Sequence, residues 1–367
     1  MTNRVTDRAV FHLLSLVYPA TVGVALQSGG FMIWLTPLLG GMVFPILDEL
    51  LPRANYSNGR SGAMRWRLIS WSYVLLHFVL LEEFLRRVGA GKLTGIDAVG
   101  LTISFGIMAG ALAFPLAHEF IHAKTVWERG IGLALLCSCL YMHFRIEHVY
   151  GHHSKVATRS DPATARFGEA LGPFLFRSIQ GQLLSSFRLE RDRSQRNAQG
   201  NQLAVNRVTA YLAIQLVVVA IIWYALGGWA AAVFVGQAGI AVLLLETVNY
   251  IEHYGLERRH RADGRPESVR PEHSWNSIRL ITNAVLFNLG LHSHHHTHPA
   301  DRYWVLTDRK VSRELPFGYF TMITLATIPP LWRRVMDPLV LGERPCSSNE
   351  EMFQPKVDQT IQQKSDV

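Results

Sequence analysis

Cysteine is nearly missing from this 367-residue chain, which has only Cys137, Cys139 and Cys346. No Cys-x-x-Cys occurs, which excludes a thiolate metal knuckle within the chain and a disulfide framework. Cys137 and Cys139 read as small apolar residues of a buried helix. Charge is scarce too, at 17% of positions against 49% hydrophobic, more oil and less charge than a soluble globule carries. The chain has no Gly-rich nucleotide fingerprint and no Cys₄ iron site, so it holds no flavin, nicotinamide or iron–sulfur reductase of its own. The net charge of +8 is scattered between apolar runs, which argues against a nucleic-acid partner and fits a basic face beside anionic lipid.

What is abundant is long apolar sequence. Stretches near 10–27, 30–47, 68–85, 98–117, 208–226 and 229–248 each have about the 17–25 residues a membrane helix needs. Two shorter ones, 131–144 and 319–332, are too brief to cross and read as buried or interfacial helices. The fold expected is an all-α integral membrane protein of six transmembrane helices with a helical and loop cap, one domain over 1–341 and a polar tail from 342. No cleavable leader is evident. Arg4 and Arg8 precede the first span, and Arg53, Arg60, Arg65 and Arg67 lie between the second and third. By the positive-inside bias, both termini and the segments 118–207 and 249–341 face the cytoplasm.

Those two segments and their membrane borders hold the histidine clusters. HEFIH places His118 and His122 at i and i+4, one turn apart on one helix face. HVYGHH contributes His148, His152 and His153, and NYIEHYG contributes His253. LHSHHHTHP packs five histidines into seven residues, with His292, His295 and His296 at i, i+3 and i+4. HEFIH alone is a zinc-protease signature with Glu119 as general base. That reading strands the other histidines, because a catalytic zinc takes three protein ligands. Two ions sharing four or five imidazoles each would use nine. Nitrogen donors without thiolate suit iron and O₂ chemistry, and the lipid setting suits an apolar substrate. His12, His77, His143 and His260 read as structural.

HEFIH, IEHVYGHH, NYIEHYGL and HSHHHTHP, with DPATARFGE (161–169) and HSWN (273–276), resemble the membrane alkane 1-monooxygenase family, within the integral-membrane di-iron desaturases and hydroxylases. NYIEHYGL with HSWN marks the hydrocarbon hydroxylases rather than the acyl desaturases. The resemblance implies a di-iron centre on His118, His122, His148, His152, His153, His253, His292, His295 and His296. It departs from the family pattern at His294, where Asp is usual, at Gly290–Leu291, where Gln-Arg is common, and at Ala123, where Lys is common. His294 is then a hydrogen-bond donor to a ligand, a proton relay or an exposed neutral change, and His298, before Pro299, supports the turn or a ligand. Glu119, Glu147, Asp161, Glu252 and His273 are the candidates to orient imidazoles and offset the four charges of two ferrous ions.

The implied activity is O₂-dependent hydroxylation of the terminal methyl of medium- or long-chain n-alkanes, with electrons from rubredoxin and its NAD(P)H-dependent reductase. The site lies on the cytoplasmic side of a bacterial inner membrane. Basic residues in SFRLERDRSQR, Arg188, Arg191, Arg193 and Arg196, are a candidate landing area for an acidic carrier. Gly40 and Gly41, in LLGGM of the second span, are candidates to leave room for a substrate channel or to serve close helix packing. The rivals are another alkyl substrate (an aromatic or terpene methyl, an acyl chain end), desaturation, a membrane zinc protease, and a metal transporter.

Overall fold

The computed structural model describes residues 8–54, 63–93, 95–197, 206–308 and 311–342. Arg4, Arg60 and the expected tail beyond Gly342 lie outside the described residues. The described residues are nearly all helical, and among them are six helices long and apolar enough to cross a membrane: Val10–Ser28, Gly30–Leu50, Ala63–Gly89, Gly95–Ile121, Arg207–Leu226 and Gly228–His253. It is a multi-pass membrane protein. The one sheet among the described residues is a parallel pairing of Trp275–Asn276 with Arg313–Glu314.

The fourth and sixth spans form the centre. At Gly106 a Cβ would stand 2.6 Å from Ile240 Cβ, and at Gly110 one would stand 2.8 Å from Leu244 Cδ1. Only glycine lets these helices approach so closely without a hydrophobic driving force between them.

Two spans widen just before a proline. Leu39–Val43 and Ala109–Ala113 are π-helical turns, followed by Pro45 and Pro115. Proline donates no hydrogen bond to the carbonyl four residues back and clashes with it. Gly41 and Ala111 are those residues, and the wider turn accommodates both problems. The bulge in the fourth span thereby sets the direction of the following turn, which carries His118.

Segment 131–144 resolves into the helix Val126–Ser138, packed on the end of the fourth span, and the turn that follows it. Segment 319–332 divides into Tyr319–Ala326 and Pro329–Val340, because Pro329 and Pro330 cannot continue the first helix. A 27-residue helix, Leu171–Asn197, includes the basic stretch. Its Arg188, Arg191 and Arg196 are exposed, whereas Arg193 is paired with Glu190 at 3.0 Å.

Candidate metal centre

Nine histidines from four parts of the chain meet at the ends of the fourth and sixth spans. They form two groups, His118, His122, His148, His153 and His295 in one and His152, His253, His292 and His296 in the other. Within each group the ligand atoms lie within 4.8 Å of one another. Bonds of about 2.1 Å from a central ion to imidazole nitrogen put opposite nitrogens about 4.2 Å apart, so each group has the dimensions of a single-ion cage. The groups abut, with ring centroids of His153 and His296 4.7 Å apart.

Helix geometry explains the division. Consecutive residues are turned by about 100°, and residues four apart by only about 40° from one another. His292 and His296, at i and i+4, therefore serve one group, and His295 swings to the other. His152 and His153 are divided in the same way. HVYGH is itself a π-helical turn, which separates His148 from His152 although they stand four apart.

The nitrogens are disposed as ligands. Nε2 of His118, His122 and His152 has no hydrogen-bond partner among the described residues. Elsewhere Nε2 faces Nε2, at 3.0 Å for His153 and His148, 3.0 Å for His295 and His153, and 2.9 Å for His296 and His292. Neutral imidazoles opposed in this way set lone pair against lone pair unless a cation lies among them or one ring turns its N–H inward. Burial first, then the neighbouring imidazoles, hold His148, His153, His292, His295 and His296 well below the ordinary histidine range, and His122 falls to about 4. The rings are thus neutral at pH 7, the form that binds metal. Residues and spacing fit two ions.

The expected supporting residues differ in what they touch. Asp161 accepts the Nδ1–H of His152 at 2.8 Å and is fixed by Thr164 Oγ1 at 2.6 Å and the Ala163 amide at 3.1 Å. This leaves His152 Nε2 as the free ligand atom. Burial pulls the His152 imidazole down, but the Asp161 carboxylate outweighs it and the net direction is up. Glu252 accepts from Tyr319 Oη at 2.9 Å and stands 3.3 Å from His292 Nε2. Both oxygens of Glu147 are buried without a partner among the described residues, and burial followed by the Asp161 charge pushes its carboxyl up to about 8. Glu119 turns elsewhere, accepting from Arg302 at 3.2 Å and the Tyr303 amide at 3.1 Å. His273 accepts the Arg270 amide at 3.0 Å and stands 3.4 Å from Glu267.

His294 is buried outside both groups. Its Nδ1 accepts the Thr307 amide at 2.9 Å and its Nε2 stands 3.2 Å from Asp301, so it clamps a loop. His298 is exposed, with Nδ1 3.0 Å from Thr297 Oγ1.

A crevice between the fourth and sixth spans ends on the centre. Gly110, Phe114, Leu245, Val248 and Leu289 line its apolar part, and Asn249, Glu252, His118, His148 and His292 its metal end. Gly40 and Gly41 do not line it. A Cβ at Gly40 would stand 2.7 Å from Tyr18 Oη, whereas Gly41 is exposed.

Sequence reasoning missed Glu246, which is fully buried in the sixth span. It accepts from Tyr141 Oη at 3.0 Å, Ser178 Oγ at 2.6 Å, Gln182 Nε2 at 2.7 and 2.8 Å and Asn249 Nδ2 at 3.3 Å. Its signal was present: an acid in an apolar span, with Asn249 and His253 at i+3 and i+7 on the same face, marks function.

The fatty acid desaturase family matches residues 97–326. Over 245 residues the chain is 41% identical to alkane 1-monooxygenase 2 of Pseudomonas aeruginosa, covering 67% of this chain and 65% of that protein. It is 35% identical to alkane 1-monooxygenase 1 of the same organism, over 89% of this chain and 88% of the relative. Against the xylene/toluene monooxygenase hydroxylase component of Pseudomonas putida it is 24% identical, over 89% and 87%. With its histidine-bearing half matched throughout and an alkane 1-monooxygenase aligned over nearly its whole length, the chain belongs to the fatty acid desaturase family, among its alkane 1-monooxygenases.

Proposed function

We propose that this chain is a di-iron monooxygenase that hydroxylates the terminal methyl of medium- or long-chain n-alkanes to primary alcohols. One observation supports this above others: two imidazole groups, of five and four, abut at the end of an apolar crevice between membrane helices. His118, His122, His148, His153 and His295 would hold one iron, and His152, His253, His292 and His296 the other. When bound, the iron pair supplies the activation of O₂, one atom entering the C–H bond and the other leaving as water.

The chain's own part is positioning and exclusion of water. Methyl C–H bonds are stronger than methylene ones, so terminal attack requires that only the chain end reach the centre. Phe114, Leu245, Val248 and Leu289 provide an apolar wall, with Gly110 among its lining residues. Most of the roughly 0.8 kcal/mol per CH₂ that burial brings is already gained in the bilayer, so the reach of the crevice decides chain length. Asn249 and Glu252, at the metal end, are placed to hydrogen-bond the product hydroxyl.

An external electron donor fits a sequence with no Gly-rich nucleotide fingerprint and no Cys₄ iron site. We assign rubredoxin and its NAD(P)H-dependent reductase as donors, a cytoplasmic orientation of the site in a bacterial inner membrane, and exposed Arg188, Arg191 and Arg196 as a landing area. A protease role fits poorly: Glu119, which would have to activate water, has both oxygens engaged by Arg302 and Tyr303.

Cells with and without the chain, fed a series of n-alkanes, test the proposal by product analysis. Primary alcohols that depend on the chain are expected. Alkenes would make it a desaturase, and products from toluene or xylene alone would move the substrate to an aromatic methyl, as in the name of one relative.

A further inference from the structure

Glu246 is 0% exposed and sits inside a membrane helix, where an isolated charge is costly. Among the described residues no Lys or Arg is a hydrogen-bond partner of it. Three of the N–H···O contacts it receives come from amide nitrogens, two from Gln182 and one from Asn249. Such nitrogens donate and cannot take a proton from a carboxylic acid. Gln182 Nε2 shares its two hydrogens among both Glu246 oxygens and Ser178 Oγ, and Ser178 Oγ donates its own proton to Glu246 at 2.6 Å. The cradle turns donors toward the carboxyl, and a charge buried there calls for an opposite charge nearby.

His253, one of the proposed ligands, lies two turns along the same helix. Two ferrous ions on nine neutral imidazoles carry four positive charges. Four buried carboxyls surround the centre: Glu147 at 0%, Asp161 at 1%, Glu246 at 0% and Glu252 at 1% exposure.

We infer that Glu246 is ionised, that it serves as one of the counter-charges of the metal pair, and that it sets the pair's reduction potential without touching either ion. It is a positioning residue, acting through its field and through Asn249, whose amide it fixes at the crevice. This inference rests on the di-iron reading.

The test is a redox titration of the iron-loaded protein in lipid nanodiscs, followed by electron paramagnetic resonance. Removing a negative charge favours the reduced, less positive centre, so Glu246→Gln should raise the midpoint. Across an effective dielectric of about 20, the expected change is about tenfold in the reduced-to-oxidised ratio at fixed potential, or ~59 mV for a one-electron step. Glu246→Asp and Ser178→Ala, which keep the charge but disturb the cradle, should hold the wild-type midpoint. An unshifted Glu246→Gln, or a Glu246→Asp that moves as far, overturns the inference and leaves a packing role. If Glu246→Gln does not accumulate, infrared spectra of the wild type and Glu246→Asp decide. An ionised carboxylate is expected, and a protonated carbonyl band that shifts in Glu246→Asp overturns it. Wild-type protein binding fewer than two irons would sink the di-iron reading itself, and the infrared arm still reports on Glu246.

Discussion

Replacing Asp161 by asparagine isolates how one carboxylate supports the four-histidine group. Asp161 takes hydrogen bonds from His152 Nδ1 at 2.8 Å, Thr164 Oγ1 at 2.6 Å and the Ala163 amide at 3.1 Å. Asparagine has the same shape, but one acceptor oxygen becomes a donor, so either His152 or the turn loses its partner. A hydrogen bond to a charged group is worth about 1.5–3 kcal/mol, against about 1 kcal/mol for a neutral one. The loss of roughly 1.5 kcal/mol corresponds to about tenfold in affinity for the ion on His152, His253, His292 and His296, the lower end of the usual 10–100-fold range for such partners. Chelator competition on purified protein, with iron counted per chain, measures it. One iron should leave at about tenfold lower chelator concentration, and the other should behave as in wild type. Thr164→Val, which removes one bond and keeps the charge, is the control. Equal retention of both irons in Asp161→Asn would refute the reasoning.

His294→Ala should keep both irons yet lose about 1 kcal/mol of stability, because the half-buried Thr307 amide loses its acceptor; metal analysis and thermal melting read the two effects. Val248→Trp should shorten the longest n-alkane accepted without changing metal content, and an unchanged product range would remove Val248 from the channel wall. Acidification should weaken the metal-free protein. Burial holds His122 and His143 near 4 and five further cluster imidazoles well below their ordinary value. Unfolded histidines protonate near 6.5, so the unfolded state binds more protons between those values, and stability falls as pH drops from about 6.5 toward 4, by at most ~1.4 kcal/mol per pH unit for each group. A melting temperature flat across that window would contradict it.

The membrane helices were legible because hydropathy reports them directly, and the spans near 98–117 and 229–248 were short at the ends that matter. The helices run on to Ile121 and His253, because polar residues there turn into the protein rather than end the helix. Glu246 escaped notice for the same reason: a hydropathy window averages one acid away among leucines. The nine histidines could be read from pairing and resemblance. Their division into five and four depends on the helical phase of His292–Thr297 and on the π-turn at His148–His152, which spacing alone does not give. His294 could not be resolved in sequence, since its partners Thr307 and Asp301 lie in a following loop. The space expected at Gly40 is met by Tyr18, and the glycine that lines the crevice is Gly110.

Metal analysis of the purified chain tests the central claim most directly, with His122→Ala and His253→Ala each disabling one group. The account predicts about two irons per wild-type chain and about one in each variant. A single zinc, or a metal content that neither substitution lowers, would contradict it.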